Sequence, residues 1–226
     1  MSCGTHCCAA QSQFDSKRAA RDLRQYRRKG ADAVTRLIIA ELEQRPMQGR
    51  ELLDVGAGIG VIGAELAKTG VTKATLVDAS PAYLETARKE VGSRYGQGHT
   101  QFVLGDFALI AATLADADVV TLGRVVCCYP DAEMLLRAAA ARSRWILGFT
   151  YPRYRWFVRL VNTVQNLLRQ LTGNSFRTYI HVPGRMKSVL QTEGMALVAQ
   201  RGTSVWMLDL YERVHTKKQE SDRRKQ

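Results

Sequence analysis

Residues 52–60 read LLDVGAGIG, an apolar run that leads into glycines at positions 56, 58 and 60. Such a run is typical of a buried β-strand, and residues 61–68 continue with helical spacing. Glycines between a strand and a helix let the backbone approach a ligand closely, while the first helical turn offers free N–H groups. The stretch therefore predicts a strand, a ligand-binding turn and a helix.

Two classes of ligand compete for this turn. Gly58, Gly60 and Gly63 spell G-x-G-x-x-G, the dinucleotide fingerprint. Asp78 lies about 20 residues further on, where an acid that binds a ribose is expected. Asp54 argues against a dinucleotide, because a carboxylate beside a pyrophosphate would meet a like charge.

Acidic residues stand at the ends of the first three predicted strands. Asp54 precedes the first glycine, Asp78 ends the second strand and Asp106 follows the third. Carboxylates can bind an ammonium group, ribose hydroxyls and an adenine amine. The alternative is that each acid only caps the helix that follows it. Their presence at three successive strand ends favours a shared ligand site.

The chain alternates between short apolar runs and helical segments between residues 51 and 149. Strands are predicted at Glu51–Val55, Ala74–Asp78, Gln101–Leu104, Val119–Leu122 and Trp145–Phe149. Helices are predicted between them at Val61–Lys68, Pro81–Val91, Phe107–Leu114 and Ala132–Ala141. Nearly continuous apolar strands that alternate with helices indicate an α/β protein with a parallel sheet covered on both faces.

Further segments flank this alternating region. Residues 16–45 predict two leading helices, and residues 151–181 predict a helical cap inserted after the fifth strand. A helix at Gly184–Glu193 follows. Two last strands, Ala196–Gln200 and Val205–Tyr211, are joined by a short Arg-Gly-Thr turn that suits an antiparallel hairpin.

These segments predict a single domain over residues 16–214. Residues 1–15 and the basic residues 215–226 are expected to be disordered tails.

The run D-x-G-x-G-x-G, followed by Asp78 and by Gly105-Asp106-Phe107, resembles the class I S-adenosylmethionine (SAM) methyltransferases. The resemblance covers residues 31–214 and implies a Rossmann-like, seven-stranded sheet in the order 3-2-1-4-5-7-6, with an antiparallel last strand. It also implies that SAM is the cofactor. The implied cofactor contacts are Asp54, Gly56, Gly58, Gly60, Asp78, Ala79, Asp106, Phe107, Leu122 and, from the leading helix, Tyr26.

A closer likeness involves the segments that follow strands four and five. The run Val-Cys-Cys-Tyr-Pro at 126–130, the strand WILGFTYP at 145–152 and the segment TYIH at 178–181 are similar to the magnesium-protoporphyrin O-methyltransferases. Tyr129, Pro130, Tyr179 and His181 match that group by position. Cys128 stands where the group has His, and Arg124 stands where it has Asp.

The reaction that the resemblance implies is direct SN2 transfer of a methyl group to O, N or S. His181 is the candidate general base and Tyr129 a candidate orienting group, although a lone His is more often structural. The fourth strand lacks the Asn/Asp-Pro-Pro-Tyr/Phe motif of many amino-methylating enzymes. Methylation of nucleobase amines is therefore the less favoured reading.

The net charge of +12 is concentrated outside the predicted sheet. Seven basic and two acidic residues lie in 15–30, five basic and no acidic residues in 151–181, and six basic and two acidic residues in 213–226. This distribution favours an anionic or amphipathic acceptor over binding of nucleic acid by the whole surface. The resemblance implies that a porphyrin-like molecule is one such acceptor.

Two further expectations concern metals and location. Cys3, His6, Cys7 and Cys8 cluster at the N-terminus, but a metal site normally takes ligands from two structural elements, so we expect none. The sequence has no apolar stretch of about 20 residues and no secretory leader, which predicts a cytoplasmic location.

Three hypotheses follow from the sequence. The leading one is a SAM-dependent methyltransferase that acts on a small anionic or amphipathic molecule under the cap. The second is an RNA methyltransferase, suggested by the basic ends. The third is not an enzyme but a SAM-binding regulatory or membrane-surface module that uses the helix at 156–171. The sequence leaves the oligomeric state open.

Overall fold

A mixed β-sheet forms the centre of the protein in the computed structural model, which describes residues 5–92, 94, 95 and 98–214. Its strands are β1 (Glu51–Val55), β2 (Lys73–Asp78), β3 (Thr100–Leu104), β4 (Ala117–Leu122), β5 (Ser143–Pro152), β6 (Met195–Gly202) and β7 (Trp206–Arg213). They lie in the order β3-β2-β1-β4-β5-β7-β6; strands β1 to β5 pair in parallel, and β7 is antiparallel to both β5 and β6. The expected strand order and the antiparallel last strand are confirmed.

Helices cover both faces of the sheet. They are α1 (Thr5–Gln13), α2 (Ser16–Lys29), α3 (Ala33–Glu43), α4 (Val61–Leu66), α5 (Pro81–Val91), α6 (Phe107–Ile110), α7 (Ala132–Arg142), α8 (Trp156–Leu171) and α9 (Pro183–Thr192). One buried core lies between the sheet and α3, α4 and α5, and a second lies between the sheet and α6, α7 and α9. This arrangement explains why the central strands are apolar on both sides.

Some elements differ from the predicted bounds. Strand β5 continues to Pro152, rather than ending at Phe149, because Thr150 and Tyr151 pair with β7. The segments predicted as single helices after β1 and β3 each end in a short 3₁₀ turn, at Ala67–Thr69 and Ala111–Thr113. Both departures lie at element ends, where sequence signals are weakest.

The N-terminal segment departs from the expectation of a disordered tail over residues 1–15. Residues 5–13 form α1, in which Ala9 is buried. Phe14 then packs edge-on against Tyr83 and Phe176, with ring centroids 5.5 and 5.4 Å apart. The segment is therefore anchored by apolar contacts that the sequence pattern did not indicate. Residues 215–226, and the side chains of the predicted Cys3, His6, Cys7 and Cys8 cluster, lie outside the described residues.

The cap predicted at 151–181 consists of α8 and the extended segment that follows it. Asn174, which follows α8, donates a hydrogen bond of 2.8 Å from Nδ2 to Oε1 of Gln13 in α1. Among the described helices, none is long and apolar enough to cross a membrane.

Substitution of Gly60 by Ala is expected to destabilise the fold more than the same change at Gly49. Both glycines have positive φ, +82° and +77°, which costs a side chain about 1–2 kcal/mol. At Gly60 the new Cβ would also lie 2.4 Å from Cγ2 of Val91, whereas at Gly49 it meets no atom within 4 Å. We expect Gly60→Ala to lower the free energy of unfolding by about 2–4 kcal/mol and Gly49→Ala by about 1 kcal/mol. Equal losses in urea titrations would show that the close packing of α4 on α5 is not what requires Gly60.

Candidate active site

A cavity of about 320 Å³ opens at the carboxyl ends of the parallel strands. We call it the central cavity, and its walls include Gly56, Asp78, Asp106, Tyr129 and Arg169. A second cavity of about 220 Å³ adjoins it and is bounded by the glycine turn, Tyr26, Asp32 and Arg124. Ligand crevices of open α/β sheets lie at this edge, where loops from neighbouring strands converge.

The turn after β1 is built from glycines in the left-handed region. The φ angles of Gly56 and Gly58 are +62° and +58°, and both residues line the two cavities. A Cβ on Gly56 would lie 2.2 Å from Cγ2 of Val125. Gly60, also predicted as a cofactor contact, lies behind the turn and packs against α5, so it does not line either cavity.

Asp78 holds the turn in place. Its Oδ2 accepts a hydrogen bond of 2.8 Å from the backbone N–H of Gly58, and its Oδ1 accepts one of 2.8 Å from Ser80. Burial raises the pKa of Asp78, and these backbone donors oppose the shift. Since each carboxylate oxygen can accept more than one hydrogen bond, Asp78 can still bind ligand hydroxyls from the central cavity, which it lines together with Ala79.

Asp106 and Tyr129 form the next part of the wall. Oδ1 of Asp106 accepts a hydrogen bond from the backbone N–H of Ala108 and caps α6, while the Tyr129 hydroxyl lies 3.3 Å from Oδ2. Both side chains are buried and line the central cavity, as does Phe107. Asp106 therefore combines the two roles that the sequence left as alternatives, since it caps a helix and also faces the cavity.

Asp54 is placed differently from its predicted role. It is buried within the sheet, where Oδ1 accepts a hydrogen bond of 2.7 Å from Thr121 on β4, and Oδ2 has no partner among the described residues. It lines neither cavity. Burial, with a contribution from the charge of Asp78, raises the pKa of Asp54 to about 7. In this arrangement Asp54 braces β1 against β4 through Thr121.

His181, the predicted general base, lines neither cavity. Its Nε2 lies 3.1 Å from the carbonyl oxygen of Val126 and 3.0 Å from that of Tyr129. Because both partners are acceptors, Nε2 carries a proton and cannot take another one. Burial also lowers the pKa of His181. Its position indicates that it fixes the loop after β4, including Tyr129, rather than acting on an acceptor.

Two other predicted contacts are also displaced from the central cavity. Leu122 is fully buried in the sheet, and the neighbouring Gly123 lines the cavity instead. Tyr26 borders the second cavity, where its hydroxyl donates to Glu65. Burial and this carboxylate raise the pKa of Tyr26 well above its usual value.

The leading helix α2 contributes residues that the sequence reading missed. Arg18 and Asp22 line both cavities, and Oδ2 of Asp22 accepts a hydrogen bond of 2.6 Å from the Tyr83 hydroxyl. Nε of Arg18 is buried without a hydrogen-bond partner among the described residues. Arg18 and Asp22 are spaced i, i+4 next to the buried Ala19, which places both on the side of α2 that faces the protein. The many other charged residues of this helix make that pair hard to recognise in the sequence.

Arg124 lies at the junction of the two cavities in an unusual conformation. Its φ is +59°, a value that is uncommon for a residue with a side chain. Its backbone N–H donates to Oγ1 of Thr150 at 2.8 Å, and its guanidinium lies 3.4 Å from Asp32. Strained backbone of this kind is concentrated at functional sites. Arg124 is one of the two positions, with Cys128, at which the sequence departs from the magnesium-protoporphyrin pattern.

The loop after β4 also brings two thiols to the wall. The Sγ atoms of Cys127 and Cys128 lie 3.7 Å apart, and both residues line the central cavity. No group of three or more potential metal ligands occurs in the described part of the chain.

Comparison with known proteins finds similarity to methyltransferases. A family described as "Methyltransferase domain" matches residues 52–144. Among solved structures, magnesium protoporphyrin IX methyltransferase from Synechocystis PCC 6803 with bound S-adenosylhomocysteine (SAH) is similar, with a TM-score of 0.71 and 18% identity. The alignment covers 91% of this chain and 98% of that one. The same protein with bound SAM aligns with a TM-score of 0.69.

Two further structures share the fold at greater distance. An O-methyltransferase family protein from Burkholderia thailandensis is 16% identical with a TM-score of 0.66, over 90% of this chain and 64% of that one. A putative RNA methyltransferase from Pyrococcus horikoshii is 12% identical with a TM-score of 0.54, over 81% of each chain. Comparison with curated protein sequences gives no match.

The family match covers the glycine turn and strands β1 to β4, and over most of its length the chain shares the fold of the SAM- and SAH-bound methyltransferase structures. The likeness to the magnesium-protoporphyrin group is confirmed for the fold.

Replacement of Asp54 by Asn is expected to change how stability depends on pH. The raised pKa means that the folded protein keeps a proton that the unfolded chain releases between about pH 4 and about pH 7. Stability therefore falls by about 1.4 kcal/mol per pH unit through this window from this group alone. Asn does not titrate. In urea unfolding at a series of pH values, we therefore expect the free energy of unfolding of the variant to rise relative to that of the wild type up to about pH 7.

The exposed Asp116, replaced by Asn, serves as the control for this measurement. We expect its stability curve to run nearly parallel to that of the wild type. If the Asp54→Asn curve also ran parallel to the wild type, the proposed protonation of Asp54 would be wrong.

Proposed function

We propose that SAM lies along the central cavity with its ribose on Asp78 and its adenine beside Asp106 and Phe107. The arrangement of donors and acceptors supports this placement. Asp78 can accept hydrogen bonds from two ribose hydroxyls, and Phe107 offers an apolar surface at the neighbouring strand end. Gly56 and Gly58 of the glycine turn line the same cavity, so backbone as well as side chains can contact the ligand there.

The methionine end of SAM is proposed to lie towards α2. It carries a carboxylate, for which Arg18 is the fitting partner, because Nε of that residue is buried without a hydrogen-bond partner among the described residues. It also carries an ammonium group, which Asp22 on the same wall can bind. A buried, unpaired donor is costly, and a bound carboxylate would satisfy it.

The methyl acceptor is proposed to be a small anionic or amphipathic molecule held between the loop after β4 and the cap. The observation that carries this proposal is the position of Arg169, which projects from α8 into the cavity wall. Its Nη1 bonds to Oδ1 of Asn166 and to Oγ1 of Thr178 at 2.9 and 3.0 Å, and its guanidinium lies 5.5 Å from the Phe176 ring centroid. Within the described residues, no carboxylate lies within ion-pairing distance of it. A held cation with no acidic partner suits an anionic ligand beside an aromatic ring.

SAM supplies an electrophilic methyl group on its sulfonium when it is bound. The residues around the cavity contribute position and exclusion of water, which are the main requirements of an in-line displacement. Tyr129, anchored to Asp106, is placed to orient the acceptor. A carboxylate or thiolate acceptor needs no general base, which agrees with the position of His181 outside the cavity.

The alternatives have less support. An RNA methyltransferase needs an open, basic approach to the cavity, whereas α1 and the cap both contribute residues to the cavity wall and so narrow it. A regulatory SAM-binding module would not need an acceptor site such as the one proposed beside Arg169, in addition to the cofactor contacts. The basic cap is consistent with both the leading proposal and contact with a membrane surface.

Replacement of Asp78 by Asn is expected to weaken the binding of SAM and SAH about 10- to 100-fold, because hydrogen bonds from ribose hydroxyls to a charged group contribute about 1.5–3 kcal/mol. Isothermal titration calorimetry measures the effect. Asp118→Asn, at the opposite end of the sheet, is the matched control and should bind SAM as the wild type does. Equal affinity of the Asp78 variant and the wild type would refute the proposed ribose site.

Replacement of Arg169 by Gln is expected to reduce methyl transfer to the acceptor at least tenfold while leaving SAM affinity unchanged. The acceptor is first identified by incubating the wild-type protein with isotopically labelled SAM and a cell extract. Mass spectrometry then locates the label in the small-molecule or RNA fraction. Arg159→Gln, on the same helix but outside the cavity, is the matched control. Label in RNA, or equal transfer by both variants, would contradict the proposal.

A further inference from the structure

Helix α8 turns its apolar side outward. Seven large apolar side chains lie on one exposed stripe of this helix: Trp156, Leu160, Val161, Val164, Leu167, Leu168 and Leu171. Trp156 and Leu171, at its two ends, are 76% and 75% exposed. At the helical spacing of 100° per residue the seven positions fall within about 140° of the helix circumference. The stripe, which we call the outer face, runs along the whole helix of about 24 Å.

The polar side of α8 faces the protein. Asn162 and Asn166 both donate from Nδ2 to the carbonyl oxygen of Thr178, at 3.0 and 2.7 Å, and Arg169 bonds to the hydroxyl of the same residue. Val158 is the one residue of this helix that is buried. A surface helix of a soluble protein normally has the opposite orientation, with its apolar stripe on the core. The hydrogen bonds to Thr178 fix the helix with its apolar side exposed.

The charges around the outer face have a single sign. Residues 151–181 contain five arginines and no acidic residue. Arg155 and Arg159 are exposed at the start of α8, and the Arg159 guanidinium lies 5.1 Å from the ring centroid of Tyr154. Exposed Tyr and Trp beside arginines are typical of segments that lie at the boundary between lipid and water.

We propose that the outer face of α8 docks on an anionic lipid bilayer, with the helix lying in the plane of the interface. The helix is too short to span a membrane, and its combination of aliphatic residues, Trp and Arg matches interfacial binding. A second copy of the chain fits this face less well. Residues 151–181 of each copy carry arginines and no acidic residue, so contact between two outer faces would place like charges together. The proposal goes beyond the proposed function and does not depend on it.

Flotation of the full-length protein with vesicles tests this docking. The wild type is expected to float with phosphatidylcholine vesicles that contain phosphatidylglycerol, and more weakly with phosphatidylcholine alone or at raised salt. Leu167→Glu and Gln165→Glu add the same charge to exposed positions of α8, but only the first removes apolar area from the outer face. We expect Leu167→Glu to weaken vesicle binding about tenfold more than Gln165→Glu.

Unchanged SAM affinity in both variants establishes that they fold, and vesicle binding itself needs neither SAM nor acceptor. Failure of the wild type to bind anionic vesicles would overturn the proposal, as would equal weakening by the two substitutions. A dimer that forms in solution and is lost in Leu167→Glu, without any vesicle binding, would assign the outer face to a second copy of the chain.

Discussion

The hydrogen bond from the Gly58 backbone to the Asp78 carboxylate links the two strands on which the site depends. It fixes the turn after β1 against the end of β2, at a distance of 2.8 Å. Gly56 and Gly58 adopt positive φ in this turn, a conformation that glycine reaches without the steric cost of a side chain. This attachment holds the turn that lines both cavities and leads into α4.

Much of the fold was predictable because its signals are local and repeated. Apolar runs such as Glu51–Val55 gave the strands, and Pro81–Val91 was predicted with its observed bounds. The register of β5 against β7 was not predictable, since it depends on a hairpin that arrives more than 50 residues later. Helix α1 was missed because its anchor, Phe14, finds Tyr83 and Phe176 only in the folded chain.

Some features of the site were likewise predictable from the sequence and others were not. Asp78 and Asp106 line the central cavity because they follow strands whose carboxyl ends meet there, and their role as cofactor contacts stays a prediction. The orientation of a side chain at such a position is set by packing, and so Asp54 turned into the sheet and His181 towards carbonyl oxygens. Arg18 and Arg169 could not be distinguished in sequence from the other arginines of helices whose exposed sides are also basic.

A crystal structure of the protein with SAH tests the central claim most directly. The account predicts ribose hydroxyls within hydrogen-bonding distance of Asp78, adenine beside Phe107 and the amino-acid end of the ligand near Arg18, with the Gly58–Asp78 bond intact. Binding of SAH with its ribose away from Asp78, or a glycine turn rearranged on binding, would contradict it.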